Sequence, residues 1–183
     1  ISLGLVGSEM CIRDRINMFR EMRRKKLQLS NSECFEILDN SNTAVLALIG
    51  DGGYPYTVPL NFVRLDNKVY FHCAKTGHKI DAVKNCDKAS LCVVGRDDVL
   101  AEKYTTKYES VIAFGRVSLV SDSAEIRAAI EKFALKYCPK ESEENRKNAI
   151  EDEWNALEMI SFDIEHLTGK IGLEVLAERN ENR

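Results

Sequence analysis

The sequence predicts a mainly β domain: a small closed antiparallel barrel of six strands interrupted by short helices. Its apolar segments are mostly short, lean on β-branched residues and are joined by hairpin turns. One of them, Tyr54 to Phe62, carries Pro55 and Pro59, which cannot both donate to a ladder, so that strand is an edge or is bulged. Regular alternation of strand and long helix, the mark of a doubly wound sheet, is absent. With 183 residues the chain is long enough for one domain with a real core, read as residues 18–178.

Each element follows from local signals. Residues 1–17 lack the basic start and long apolar run of a signal peptide and read as a non-native leader, with the native chain starting at Met18 or Met22. Ser30 with Glu33 is a capping-box pattern ahead of Cys34, Phe35, Ile37 and Leu38, so a helix runs to about Asn40. Thr43–Ile49 is a continuous strand, Asp51-Gly52-Gly53 is a hairpin turn, and the proline strand follows to about Leu65. Asp66 and Asn67 turn the chain into a strand over Lys68–Cys73. A helix over about Lys79–Asn85 and a strand over Ala89–Val94 come next.

Arg96–Lys107 is polar and reads as a loop; Trp154, Tyr104 and Tyr108 read as packing residues, with Tyr104 in a loop that can cover the pocket. Tyr108–Val120 is the longest strand, and Gly115 in its middle permits a bulge. Ser121-Asp122-Ser123 caps a helix with Ile126, Ala129, Ile130, Phe133 and Tyr137 on one face, ended by Pro139. Glu141–Asp152 is too charged for the core and reads as a solvated helix or loop. Met159–Glu165 turns Ile160, Phe162 and Ile164 inward as the last strand. Thr168-Gly169-Lys170 follows it, and the polar tail after Leu176 frays, ending in residues 179–183.

Composition excludes several classes of function. A net charge of −3 argues against nucleic acid as a partner, and the five Lys or Arg within residues 20–26 read as a solvated arm. No apolar run approaches the ~18 residues that span a bilayer. The six cysteines form no C-x-x-C pair and read as reduced thiols of a cytoplasmic protein. His72, Cys73 and His78 match no standard zinc spacing, so no metal is expected.

Chemistry concentrates between Tyr54 and Lys84. The proline strand keeps backbone groups unpaired, and these can bond the polar edge of a flat ligand. The turn Thr76-Gly77-His78-Lys79 opens a helix, offering free N–H groups and a cation to a phosphate. A lysine in the first turn opposes the helix dipole unless an anion sits there. Together they point to a phosphorylated aromatic cofactor; His72 by itself reads as a half-buried strand histidine.

Four motifs occur in order: Y-P-x-x-V-P-x-N-F from Tyr54, V-Y-F-H-x-A-x-x-G-x-K-I-D from Val69, Y-x-S-V-x-x-F-G from Tyr108 and T-G-K from Thr168. The order resembles the nitroimidazole-resistance branch of the FMN-binding split barrels, relatives of pyridoxamine 5′-phosphate oxidase, over Met22 to Lys170. The resemblance implies a six-stranded split β-barrel and a homodimer with FMN in a cleft between subunits. It places Val58, Pro59, Leu60 and Asn61 along the flavin ring and His72 and Cys73 beside it, His72 as the catalytic candidate. Thr76, Gly77, His78 and Lys79 take the phosphate. Ser110 and Lys170 approach from the other side or from the partner subunit. The implied activity is FMN-dependent reduction of nitroaromatic or related small electrophiles. The rivals are a flavin carrier or sensor without turnover, and a pyridoxamine-phosphate-type oxidase or haem-handling relative. The arginine-rich pyridoxal-phosphate contacts of the oxidase branch are not visible.

Overall fold

Ser30 starts the first helix as its sequence dictates. Its hydroxyl accepts from the Glu33 N–H while the Glu33 carboxylate accepts from the Ser30 N–H at 2.8 Å, a complete capping box. The structure is a computed structural model that describes residues 18–181; the leader reading, residues 1–17, lies outside the described residues. The helices are α1 (Asn31–Asn40), α2 (His78–Asn85), α3 (Ser123–Tyr137), α4 (Glu143–Glu153) and α5 (Leu173–Glu181). The strands are β1 (Gln28–Leu29), β2 (Thr43–Ile49), β3 (Pro55–Asn61), β4 (Val63–Leu65), β5 (Lys68–Ala74), β6 (Lys88–Leu100), β7 (Thr105–Leu119) and β8 (Leu157–Ile171). Among the described residues no helix is long and apolar enough to cross a membrane.

All strands pair antiparallel in one sheet, ordered β3-β2-β6-β7-β8-β5-β4, with β1 added to β8. The two ends of this order, β3 and β4, are consecutive in the chain. The sheet therefore curls until its edges meet at Phe62, where the chain leaves β2 (Asn61 opposite Thr43) and joins β5 (Val63 opposite Tyr70). This is the split barrel. Six long strands build it as expected; the count reaches eight because the proline strand breaks at Phe62 and β1 adds two residues. The edge position required by Pro55 and Pro59 is where β3 lies.

Inside, Leu46, Phe62, Phe71, Leu91, Ile160 and Phe162 are fully buried, with Leu38 of α1 and Ile80 of α2 closing the core. The expected face of α3 packs Ala129 and Phe133 against Val63, Tyr70 and Met159 outside the barrel wall. Gly115 sits at a bulge, as its mid-strand position suggests, where an added Cβ would stand 1.9 Å from the Asp163 carbonyl oxygen.

Three expectations are corrected. Arg96–Lys107 is not a loop: β6 and β7 continue their ladder to Leu100 opposite Thr105, and only Ala101–Lys103 and Tyr104 turn. That hairpin leaves the core, so its residues are polar and show no alternation. It is held instead by Arg96 to Asp98 and Glu178, and by the Thr105 hydroxyl donating to Glu174 at 3.0 Å. Thr168-Gly169-Lys170 belongs to β8, which runs to Ile171 because β7 and β1 pair with it on either side. The tail is helical to Glu181, and Arg179 binds Glu33 at 2.6 Å and Glu109 at 3.0 Å.

Register also defines an outer face. Val45, Cys92, Ile112 and Thr168 form one row across β2, β6, β7 and β8, and Val94, Ser110 and Lys170 form the next. Val45, Val94, Ile112 and Phe114 stay exposed there.

Candidate functional site

The free edge of β3 follows from its prolines. The Gly50 N–H donates to the Tyr54 carbonyl at 2.8 Å, so even-numbered residues bond β2. Alternation then turns the carbonyls of Pro55, Thr57, Pro59 and Asn61, and the N–H groups of Thr57 and Asn61, away from β2. Prolines stand only where no N–H is needed. The side chains of Val58 and Leu60 point inward and pack on the core.

Across from this edge, β5 ends at His72, Cys73 and Ala74, and the chain turns into α2. Gly77 takes φ 125°, a conformation that disfavours any side chain, and a Cβ there would meet nothing within 4 Å. No side chain caps α2. The N–H groups of His78, Lys79 and Ile80 therefore lack intrahelical partners. Among the described residues Lys79 has no acidic partner within ion-pair distance.

A cavity of about 970 Å³ opens here. Asn61, His72, Cys73 and Lys79 form one wall, and α3 and α4 supply the other through Phe133, Tyr137, Arg146 and Ile150. A smaller cavity of about 240 Å³, lined by Thr43, Pro59 and Leu60, shares Asn61 and His72 with it. Asn61 and His72 thus stand between the two cavities, with Cys73 and Lys79 in the larger and Pro59 and Leu60 in the smaller.

The remaining expected residues lie elsewhere. Thr76 and Gly77 are in the exposed turn before α2, and Val58 is turned to the core. The His78 ring stacks on Tyr56 with centroids 4.1 Å apart and its Nε2 is 3.8 Å from Asp51, which ties α2 to the β2–β3 hairpin. Ser110 and Lys170 are cross-strand neighbours on the outer face, the Lys170 ammonium 5.1 Å from the Tyr108 ring centre. Tyr104 stands 98% exposed at the hairpin tip with φ 48°, outside the cavity. Trp154 packs under Arg127 at 4.2 Å, as a packing residue would. Among the described residues no cluster of three or more His, Cys, Asp or Glu is arranged to hold a metal.

Sequence reasoning misses the α3–α4 wall. The apolar face of α3 is readable, but not that its last turn reaches Phe62, 75 residues away. Arg146 sits on a helix so charged that solvent is its natural reading.

His72 is exposed to solvent at the cavity, yet the walls around it partly desolvate its ring, and this and then the charge of Lys79 lower its pKa from the ordinary 6.5, favouring the neutral imidazole. Its ring meets Phe133 edge-on at 4.6 Å. Burial pushes the Cys73 thiol upward, Lys79 opposing and Glu158 adding, which keeps it protonated rather than nucleophilic. The geometry offers a mostly apolar cavity with hydrogen-bonding groups of β3 at its side, an imidazole and a cationic helix start.

The curled antiparallel barrel and its lateral cavity define a split-barrel protein. The chain belongs to the pyridoxamine 5′-phosphate oxidase family, whose model matches residues 30–171. A search of curated proteins finds no match. Among solved structures, a candidate 5-nitroimidazole antibiotic resistance protein from Bacteroides thetaiotaomicron is 18% identical with a TM-score of 0.67, over 79% of this chain and 86% of that one. A flavocytochrome from Azotobacter vinelandii is 21% identical with a TM-score of 0.66, over 84% and 72%. An FAD-binding protein from Mesorhizobium loti is 20% identical with a TM-score of 0.58, over 79% and 96%. At these identities the likeness is one of fold.

Proposed function

We propose that the protein is an FMN-dependent oxidoreductase that reduces nitroaromatic or related small electrophiles, working in the cytoplasm as a homodimer with flavin between the subunits. One observation carries the reading: the free edge of β3, the neutral His72 and the uncapped start of α2 with Lys79 converge on one cavity. Its volume and mostly apolar walls suit a flat ring system. The named flavin ligands of neighbouring folds support a flavin, and the Bacteroides protein supports the substrate class.

Bound flavin supplies the electron transfer. The chain holds and orients it. Outward-turned groups of Thr57, Pro59 and Asn61 meet the ring edge, and the N–H groups of α2 with Lys79 take the phosphate. His72 stands at the ring as a proton donor or acceptor. The short turn at Thr76–Lys79 takes a terminal phosphate and favours FMN over a larger dinucleotide. Ser110 and Lys170 complete the site from the partner subunit, because they lie on the exposed apolar face rather than at the cavity.

The test is direct. Purified protein binds FMN far better than riboflavin, and its flavin is reduced by NADH or NADPH and reoxidised by a nitroimidazole faster than free FMN. A protein that ignores FMN in titration sinks the reading. Stoichiometric flavin without turnover moves the assignment to a carrier.

A further inference from the structure

We propose that Tyr137 is a positioning residue that clamps the seam of the barrel and, through it, fixes the two sides of the cavity at Asn61 and His72. The inference rests on the cavity being the flavin site, and its test separates the two.

The seam has a hydrogen-bonding deficit. At Phe62 the chain has left β2 and has not yet joined β5, so its N–H and carbonyl lie between two ladders. Buried backbone groups need partners. Two neighbouring side chains provide them: the Tyr137 hydroxyl accepts from the Phe62 N–H at 3.0 Å and donates to the Asn42 carbonyl at 2.7 Å, with the Phe62 carbonyl 2.9 Å away. Lys136 next to it donates to the Ser41 carbonyl at 2.6 Å and the Phe62 carbonyl at 3.2 Å, and lies 4.4 Å from the Phe62 ring centre. The Asn61 side chain donates to the same Asn42 carbonyl at 3.0 Å. The last turn of α3 thus fastens the start of β2 to the end of β3, and Asn61 is fixed within that knot.

The same tyrosine reaches the other side of the cavity. Its ring lies against Phe133 with centroids 5.7 Å apart, and Phe133 meets His72 edge-on at 4.6 Å. All four residues, Asn61, His72, Phe133 and Tyr137, line the main cavity. Loosening the clamp lets the seam and the aromatic pair shift together and draws the Phe133 ring off His72, whose side chain already stands partly in solvent. Partial desolvation is the main reason for the lowered pKa of His72, so that pKa then rises toward 6.5.

The experiment compares the full-length wild-type chain with Tyr137→Phe, which keeps the ring and removes the hydroxyl. The readouts are the His72 titration by NMR, assigned with a His72→Gln variant, and FMN affinity by fluorescence quenching. The expected result is an upward shift of the His72 pKa and FMN affinity weaker by about tenfold, with the helix and sheet signals retained. Unchanged His72 titration and FMN affinity overturn the proposal. If Tyr137→Phe is insoluble, Lys136→Met, which removes one donor at the Phe62 carbonyl, must move both readouts the same way by less; no movement overturns it equally. Failure of the wild type to bind FMN, with the His72 shift still present in Tyr137→Phe, refutes the flavin reading and leaves the clamp standing.

Discussion

Lys79 occupies a position that a nearby anion would favour. It lies in the first turn of α2, where its charge opposes the helix dipole, and no side chain caps that end. Lys79→Ala is therefore expected to weaken FMN by about 1.5–3 kcal/mol, the range for a hydrogen bond to a charged group. Riboflavin, lacking the phosphate, is expected to bind both variants alike. Parallel titrations check this, and an equal loss for both ligands would remove Lys79 from the phosphate. His72 makes a different prediction, about pH. Partial desolvation holds its folded pKa below the unfolded 6.5, so as pH falls below 6.5 the unfolded chain takes up this proton before the folded one does. The stability tied to neutral His72 is complete above 6.5 and declines as pH falls through that window toward the lowered folded value. Urea midpoints measured at about pH 7.5 and about pH 5 should differ less in His72→Gln than in wild type. An identical pH dependence in the two proteins would show that His72 titrates freely.

The elements that the sequence showed clearly are those whose signals are local. Ser30 with Glu33 announces the start of α1, and the complete capping box predicts that Ser30→Ala lowers stability by about 1 kcal/mol, measurable by denaturant unfolding. Two prolines of one parity place β3 at an edge, and a mid-strand glycine places the bulge of β7. Gly115→Ala puts a Cβ 1.9 Å from a backbone oxygen of β8, which cannot move aside alone, so a loss of about 1–3 kcal/mol or more is expected in the same assay. The misread elements are those stabilised at long range. The β6–β7 hairpin beyond Gly95 lies outside the core, so burial leaves no alternation in it, and its holding ion pairs and hydrogen bonds come from Glu174 and Glu178 of α5. The end of β8 reads as a separate motif because its strand character depends on β1, two residues some 140 positions away in the chain. The candidate site divides along the same line. Pro59 and Lys79 are marked by backbone chemistry, and Asn61 and His72 are singled out by the family resemblance, whereas Phe133, Tyr137 and Arg146 reach the cavity only through the docking of α3 and α4.

For the molecule as a whole, the outer face of the barrel is the feature that a lone chain leaves unexplained. Val45 and Ile112 in one row, with Val94 and Phe114 in the rows on either side, are each at least 38% exposed; scattered single exposures would be ordinary but a contiguous patch is not, and the Phe19 ring stacks on Phe114 with centroids 5.5 Å apart. Ser110 and Lys170 stand in the adjoining row, between this apolar surface and the hairpin. In the proposed homodimer a second copy would pack on this face, bury the patch by a two-fold contact of the same surface on both subunits and carry Ser110 and Lys170 to a partner's flavin. Ile112→Lys tests the arrangement with little risk to the fold, because the side chain already faces solvent. A lysine there cannot be buried unpaired against its symmetry mate, so the variant is expected to sediment as a monomer. It should also bind FMN at least tenfold more weakly, about 1.4 kcal/mol, because half of each site has been withdrawn. Sedimentation velocity with and without FMN reads both effects at once. A variant that stays dimeric with wild-type affinity places the interface elsewhere, and a wild-type chain that binds FMN as a monomer removes Ser110 and Lys170 from the site.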